Sequence, residues 1–168
     1  MSRLILVGLP GVGKTTLALA LAELWRIEAL DTDDIVAAAV GTSAAQYLRD
    51  EGEVAFRARE LEALTVALDG TGDAVIATGG GIVSTSDARA VLSDEITLWL
   101  DCDDIVILSR LGDLDRPLLA EGPAEALSRL RGERGEWYRE VSRARIDTSA
   151  PIDHVLAAAA HEMDRLTR

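Results

Sequence analysis

The chain has 168 residues, 48% of them hydrophobic, with 29 Asp and Glu against 17 Lys and Arg, a formal charge of −12 and a pI near 4.5. That length suits one domain over 1–168, a sheet covered by helices on both faces, and leaves no room for a second catalytic domain. The acidic balance excludes nucleic acid and anionic membranes as expected partners, the single cysteine, Cys102, excludes an intrachain disulfide, and no apolar run is long enough to span a membrane, so a cytoplasmic monomer is expected.

Leu4-Ile5-Leu6-Val7 is an apolar run that predicts a buried strand, and no signal peptide is expected ahead of it. Gly8-Leu9-Pro10-Gly11-Val12-Gly13-Lys14-Thr15 follows and fits GxxxxGK[ST]; strong helix formers run from Thr16 to Leu24. Strand, glycine-rich loop and helix in that order form the context of a phosphate-binding loop. The glycines let successive amides turn toward one point, and the start of the helix adds its positive end there. Lys14 is expected to reach the β- and γ-phosphates of ATP, and the Thr15 hydroxyl to hold Mg²⁺. Expected nucleotide contacts are Gly11, Val12, Gly13, Lys14, Thr15 and Thr16.

A second strand, Ile27 to Asp31, leads into Asp31-Thr32-Asp33. Residues i and i+2 of an extended chain point the same way, so both carboxylates are expected at the crevice where strands end. One can hold a magnesium-bound water while the other takes the proton of an attacking hydroxyl; equally, they can cap the next helix. Residues 32–70 read as helical, with breaks near Gly41-Thr42-Ser43 and Gly52. This is longer than one crossover needs, and such an insertion shapes a substrate pocket. It carries Phe56 and Arg57.

The third strand, Ala74 to Thr78, runs into Gly79-Gly80-Gly81, which either lets a ligand approach bare backbone or forms a flexible turn. A helix from Ser84 to Leu92, a strand from Ile96 to Asp101 and a helix from Asp103 to Leu111 come next. Residues 112–123 carry Gly and Pro at both ends and show no period, which predicts a lid, with Arg116 on it. A charged helix from Ala124 to Val141 contains Arg134; the strand Ala144 to Thr148 and a helix from Pro151 to Leu166 close the chain. Five strands alternating with helices predict a parallel α/β sheet. Arg57, Arg116 and Arg134 suit carboxylate capture or the charge of a transferring phosphoryl group, although any one can be a solvated surface residue.

The run Arg57-Ala58-Arg59-Glu60, then Leu64, then Val75 to Val83 through the glycine triplet resembles the shikimate kinase signature. The phosphate loop, Asp31-Thr32-Asp33, Phe56-Arg57, Arg116-Pro117-Leu118-Leu119 and Arg134 with Tyr138 occur in that family's order. The resemblance implies the P-loop fold of nucleoside monophosphate kinases, a three-layer sandwich whose five-stranded parallel sheet has the order 2-3-1-4-5. It also implies ATP-dependent phosphorylation of the 3-hydroxyl of shikimate. By position, it makes Asp33 the contact to the ring hydroxyls and the proton acceptor, and puts Asp31 in the outer shell of Mg²⁺. Arg57 and Arg134 become the carboxylate clamp beside Gly79, Gly80 and Gly81, Arg116 the lid arginine, and Arg110 with Pro151 the flanks of adenine. Leu48, Asp115 and Glu136 depart from the family pattern. Two alternatives are a kinase of another small hydroxy acid such as gluconate and a nucleotide-binding regulatory module without catalysis; the presence of Lys14, Thr15, Asp31, Asp33 and Arg116 argues against the second.

Overall fold

The computed structural model describes residues 3–70, 72–111 and 122–168. Its centre is the strand β1 (Leu4–Val7), whose four side chains are all fully buried. An apolar run with no polar alternation is what a parallel strand covered on both faces requires. Around it lie β2 (Glu28–Asp31), β3 (Ala74–Ala77), β4 (Ile96–Asp101) and β5 (Ala144–Asp147), all parallel, in the order β2-β3-β1-β4-β5. The registers Ile5 to Ile76 and Leu6 to Leu98 put aliphatic side chains side by side across the middle. The edge strands β2 and β5 are only partly buried, as their polar residues dictate.

Helices fill the crossovers. α1 (Lys14–Trp25) packs on β1, β2 and β3 and against α7 (Ile152–Leu166). α4 (Ser86–Asp94) and α6 (Pro123–Val141) pack on each other and on β4, next to α5 (Asp104–Leu111). The 32–70 stretch forms α2 (Thr32–Val40) and α3 (Ala44–Asp69) around a small core of its own, Val36, Ala44, Phe56 and Ala63. Both expected breaks are present: Gly41 ends α2, and Gly52 interrupts α3 with φ 83° and ψ 171°. Leu48 packs against this small core.

Most boundaries differ from expectation by one or two residues, with local causes. The first helix starts at Lys14, inside the loop motif, because Gly13 takes φ 103° and serves as its N-cap. The fourth helix is capped by Thr85 rather than Ser84, since Ile82–Ser84 forms a single 3-10 turn and Thr85 accepts from Ala88 N. Pro151 precedes α7 instead of lying in its first turn. The expected lid falls mostly at 112–121, and Asp115 and Arg116 lie outside the described residues. No helix among the described residues is long and apolar enough to cross a membrane.

Candidate active site

The loop between β1 and α1 crosses the carboxyl end of the sheet. It fits tightly: a Cβ on Gly8 would lie 2.3 Å from the Leu100 carbonyl oxygen. Lys14 Nζ donates to the carbonyls of Gly8 at 2.8 Å and Leu9 at 3.0 Å, so the loop's own oxygens hold the ammonium over the cradle. A cavity of about 300 Å³ opens here, with Lys14, Thr15, Asp31, Asp33, Gly79 and Arg110 among its lining residues. Gly11, Gly13 and Thr16 also face it. A second cavity of about 200 Å³ adjoins it, lined by Val12, Leu17, Arg110, Ala150, Ile152 and Val155 among others. The first is polar and ringed by amides; the second is largely apolar and suits a flat base. Pro151 lies between two of the residues lining the second.

Arg110 and Thr148 join the cavities. Arg110 Nη2 donates to the Thr148 carbonyl at 2.6 Å, and the Thr148 hydroxyl donates to the Val12 carbonyl of the loop at 2.9 Å. Thr148 thereby ties the end of β5 to the phosphate loop, a role that nothing in its neighbourhood in the sequence signals.

The acidic triplet reaches the cavity by a different route from the expected one. Only Asp31 is extended; α2 begins at Thr32, so Asp33 sits in a first helical turn and strand alternation does not govern it. Asp31 Oδ1 accepts from Asp33 N at 2.9 Å, capping α2, and Oδ2 accepts from the Thr15 hydroxyl at 2.8 Å. Asp31 therefore caps α2 with one oxygen and holds the Thr15 hydroxyl at the cavity wall with the other. Thr32 is buried and accepts from Gly79 N at 3.1 Å, which fastens the triplet to the glycine rim.

That rim is shaped by close contacts. A Cβ on Gly80 would lie 2.8 Å from Pro10 Cδ in the phosphate loop, and one on Gly81 would lie 2.1 Å from the Arg57 guanidinium carbon. Behind the rim, Arg57 on α3 is 7% exposed and Arg134 on α6 is 3% exposed. Arg57 Nη1 pairs with Glu60 and Nη2 with Glu53, the latter at 3.0 Å. Burial lowers the Arg57 pKa, but the two carboxylates outweigh it and raise the net value. Arg131, on the same helix as Arg134, pairs with both Asp101 and Asp104 at 2.6 Å. By contrast, Arg57 Nε and Arg134 Nη1 are buried with no hydrogen-bond partner among the described residues. Buried cationic donors in that condition are costly and call for an anion.

Glu60 and Tyr138 complete this cluster. Glu60 is fully buried; one oxygen pairs with Arg57 and the other, Oε1, has no hydrogen-bond partner among the described residues. Burial pushes its carboxyl well above the usual range and nearby Asp33 adds to this, while Arg57 and Arg134 oppose it. The Tyr138 hydroxyl donates to the Gly80 carbonyl, and burial pushes its pKa up to about 12. The i, i+3 spacing of Arg57 and Glu60 on one helix was the available signal for Glu60, because such pairs meet on a helix face.

The site therefore brings together Lys14, Thr15, Asp31, Asp33, the glycine triplet, Arg57, Arg110 and Arg134, with Arg116 outside the described residues. A phosphate loop on a 2-3-1-4-5 parallel sheet, facing a helical insertion whose buried Arg57 lies near the buried Arg134 of α6, defines a P-loop kinase of small molecules. The shikimate kinase family model matches residues 10–164. A shikimate kinase of Frankia casuarinae is 39% identical over 97% of this chain and 68% of its own, and one of Salinispora arenicola is 38% identical over 91% and 92%. The solved shikimate kinase of Acinetobacter baumannii in complex with shikimate superposes with a TM-score of 0.90 at 32% identity, covering 99% of this chain and 93% of that one. This chain belongs to the shikimate kinase family.

Proposed function

We propose that the chain transfers the γ-phosphoryl group of ATP to the 3-hydroxyl of shikimate through the residues assembled above. The observation that carries this is the pair of buried, unpartnered guanidinium N–H groups of Arg57 and Arg134, set behind a glycine rim that touches the phosphate loop. A small ring acid satisfies them with its carboxylate and turns its hydroxyls toward Asp33.

In this reading the loop amides and Lys14 hold the phosphates, and the apolar cavity beside Arg110 and Pro151 takes the adenine. Asp33 accepts the proton of the attacking hydroxyl as the new oxygen–phosphorus bond forms and the bond to the β-phosphate oxygen breaks, releasing ADP. No nucleophilic side chain is required, because the reaction needs positioning and charge neutralisation. Thr15 and Asp31 offer hard oxygen donors 2.8 Å apart at the cavity wall, a set that fits magnesium, with Asp31 acting through water. The ion would supply positive charge that neutralises the phosphates. Residues 32–70 act as the acceptor-binding part of a single domain. The buried free thiol of Cys102 agrees with a reducing cytoplasm.

The test is ADP release with and without shikimate, with gluconate as comparator. Shikimate-dependent turnover is expected; turnover with gluconate and none with shikimate would overturn the assignment.

A further inference from the structure

Two carboxylates of its own chain already hold Arg57. Glu60 takes Nη1, Glu53 takes Nη2 at 3.0 Å, and Nε is buried with no hydrogen-bond partner among the described residues. Nε and Nη2 form one edge of the guanidinium fork, the edge that receives a carboxylate side-on with two parallel bonds. One half of that edge is open and Glu53 covers the other half.

The two carboxylates are not equally well seated. Glu60 is fully buried against Gly79. Glu53 has 54% of its side chain exposed, and it follows Gly52, where α3 breaks. A Cβ on Gly52 would meet nothing within 4 Å, so neighbouring atoms do not hold that corner in place. Val54, on the other side of Glu53, is 89% exposed, so the turn is not covered from outside either. A half-exposed i, i+4 ion pair is weak and easily exchanged.

We propose that Glu53 is an internal stand-in for the acceptor's carboxylate: it occupies Nη2 of Arg57, gives it up when the acid binds, and so sets the acid's KM. Glu60 keeps Nη1 throughout and fixes the orientation of the fork. The inference rests on the reading that Arg57 holds the acceptor carboxylate.

The experiment compares KM for shikimate and for ATP in the wild-type chain, Glu53→Gln, Glu51→Gln and Arg57→Ala. Glu51 is an exposed acid just before the break that does not pair with Arg57, so its substitution removes the same charge without freeing Nη2. Glu53→Gln is expected to lower the KM for shikimate by about two- to fivefold, the range set by a partly exposed ion pair, with the KM for ATP unmoved. Glu51→Gln is expected to leave both unmoved. An unchanged or raised shikimate KM in Glu53→Gln, or an equal drop in both glutamine variants, overturns the stand-in. If Arg57→Ala leaves the shikimate KM unchanged, the underlying assignment of Arg57 fails instead.

Discussion

A Cβ placed on Gly79 would sit 2.1 Å from Oε1 of Glu60 and 3.1 Å from Oδ1 of Asp33. The glycine is thus the surface against which a buried carboxylate rests, besides being a gap left for a ligand. Gly79→Ala must push Glu60, with its hold on Arg57, out of place. Overpacking of this kind costs about 1–3 kcal/mol, and we expect a lower melting temperature and loss of shikimate turnover, with ADP affinity retained. Calorimetry and ADP titration check the two halves separately.

Lys14 Nζ is anchored by the loop carbonyls of Gly8 and Leu9 at the wall of the cavity that Thr15, Asp31 and Asp33 also line. Lys14→Ala should reduce kcat by about a hundredfold or more, the usual cost of removing one preorganised donor to developing charge. Steady-state kinetics at saturating shikimate measures this, and a rate near wild type would remove Lys14 from the reaction.

Asp31 and Asp33 should separate by substitution. Asp33→Asn removes the proposed proton acceptor and should lower kcat by about 10²- to 10⁴-fold while ADP still binds. Asp31→Asn keeps the helix cap, since Asn caps as well as Asp, and should instead raise the magnesium concentration needed for half-maximal rate. Magnesium titrations of both variants distinguish them.

Arg134→Ala should raise the KM for shikimate by about ten- to a hundredfold, the worth of charge-assisted hydrogen bonds, while moving the KM for ATP little. Equal changes in both constants would point to general disruption of α6.

Glu60 gives the pH dependence. Its pKa is raised above the ordinary 4.5 of a glutamate, mainly by burial, so the folded state binds its proton more tightly than the unfolded chain. The unfolded state then holds fewer protons from pH 4.5 upward, and stability contributed by this group falls as pH rises toward the folded pKa. Glu60→Gln cannot titrate, so the melting temperature of wild type minus that of the variant should decline across this window. Thermal scans from pH 4 upward test the sign.

The fold was legible because its carriers are local. Leu4–Val7, the loop motif and the alternating elements report directly on strand, cradle and crossover, and family resemblance supplied the sheet order and placed Arg57 and Arg134. What escaped depends on contacts between distant segments. Thr148 reaches Val12 across 136 residues, and the pressure of Glu60 on Gly79 joins α3 to the end of β3. Asp33 lines the cavity from the first turn of α2 and not by strand alternation, since the helix already starts at Thr32. For Asp31, capping and a place at the cavity wall are not exclusive, because each of its two oxygens has its own partner.

The contact between Gly80 and Pro10 has a consequence for how such an enzyme can vary. The phosphate loop and the glycine rim meet there with no room for even a methyl group between them, so their spacing is built into the scaffold and does not depend on the two segments docking anew in each cycle. Enlarging either residue would lengthen the path of the phosphoryl group while leaving each substrate's own contacts intact, producing an enzyme that binds both partners and rarely joins them.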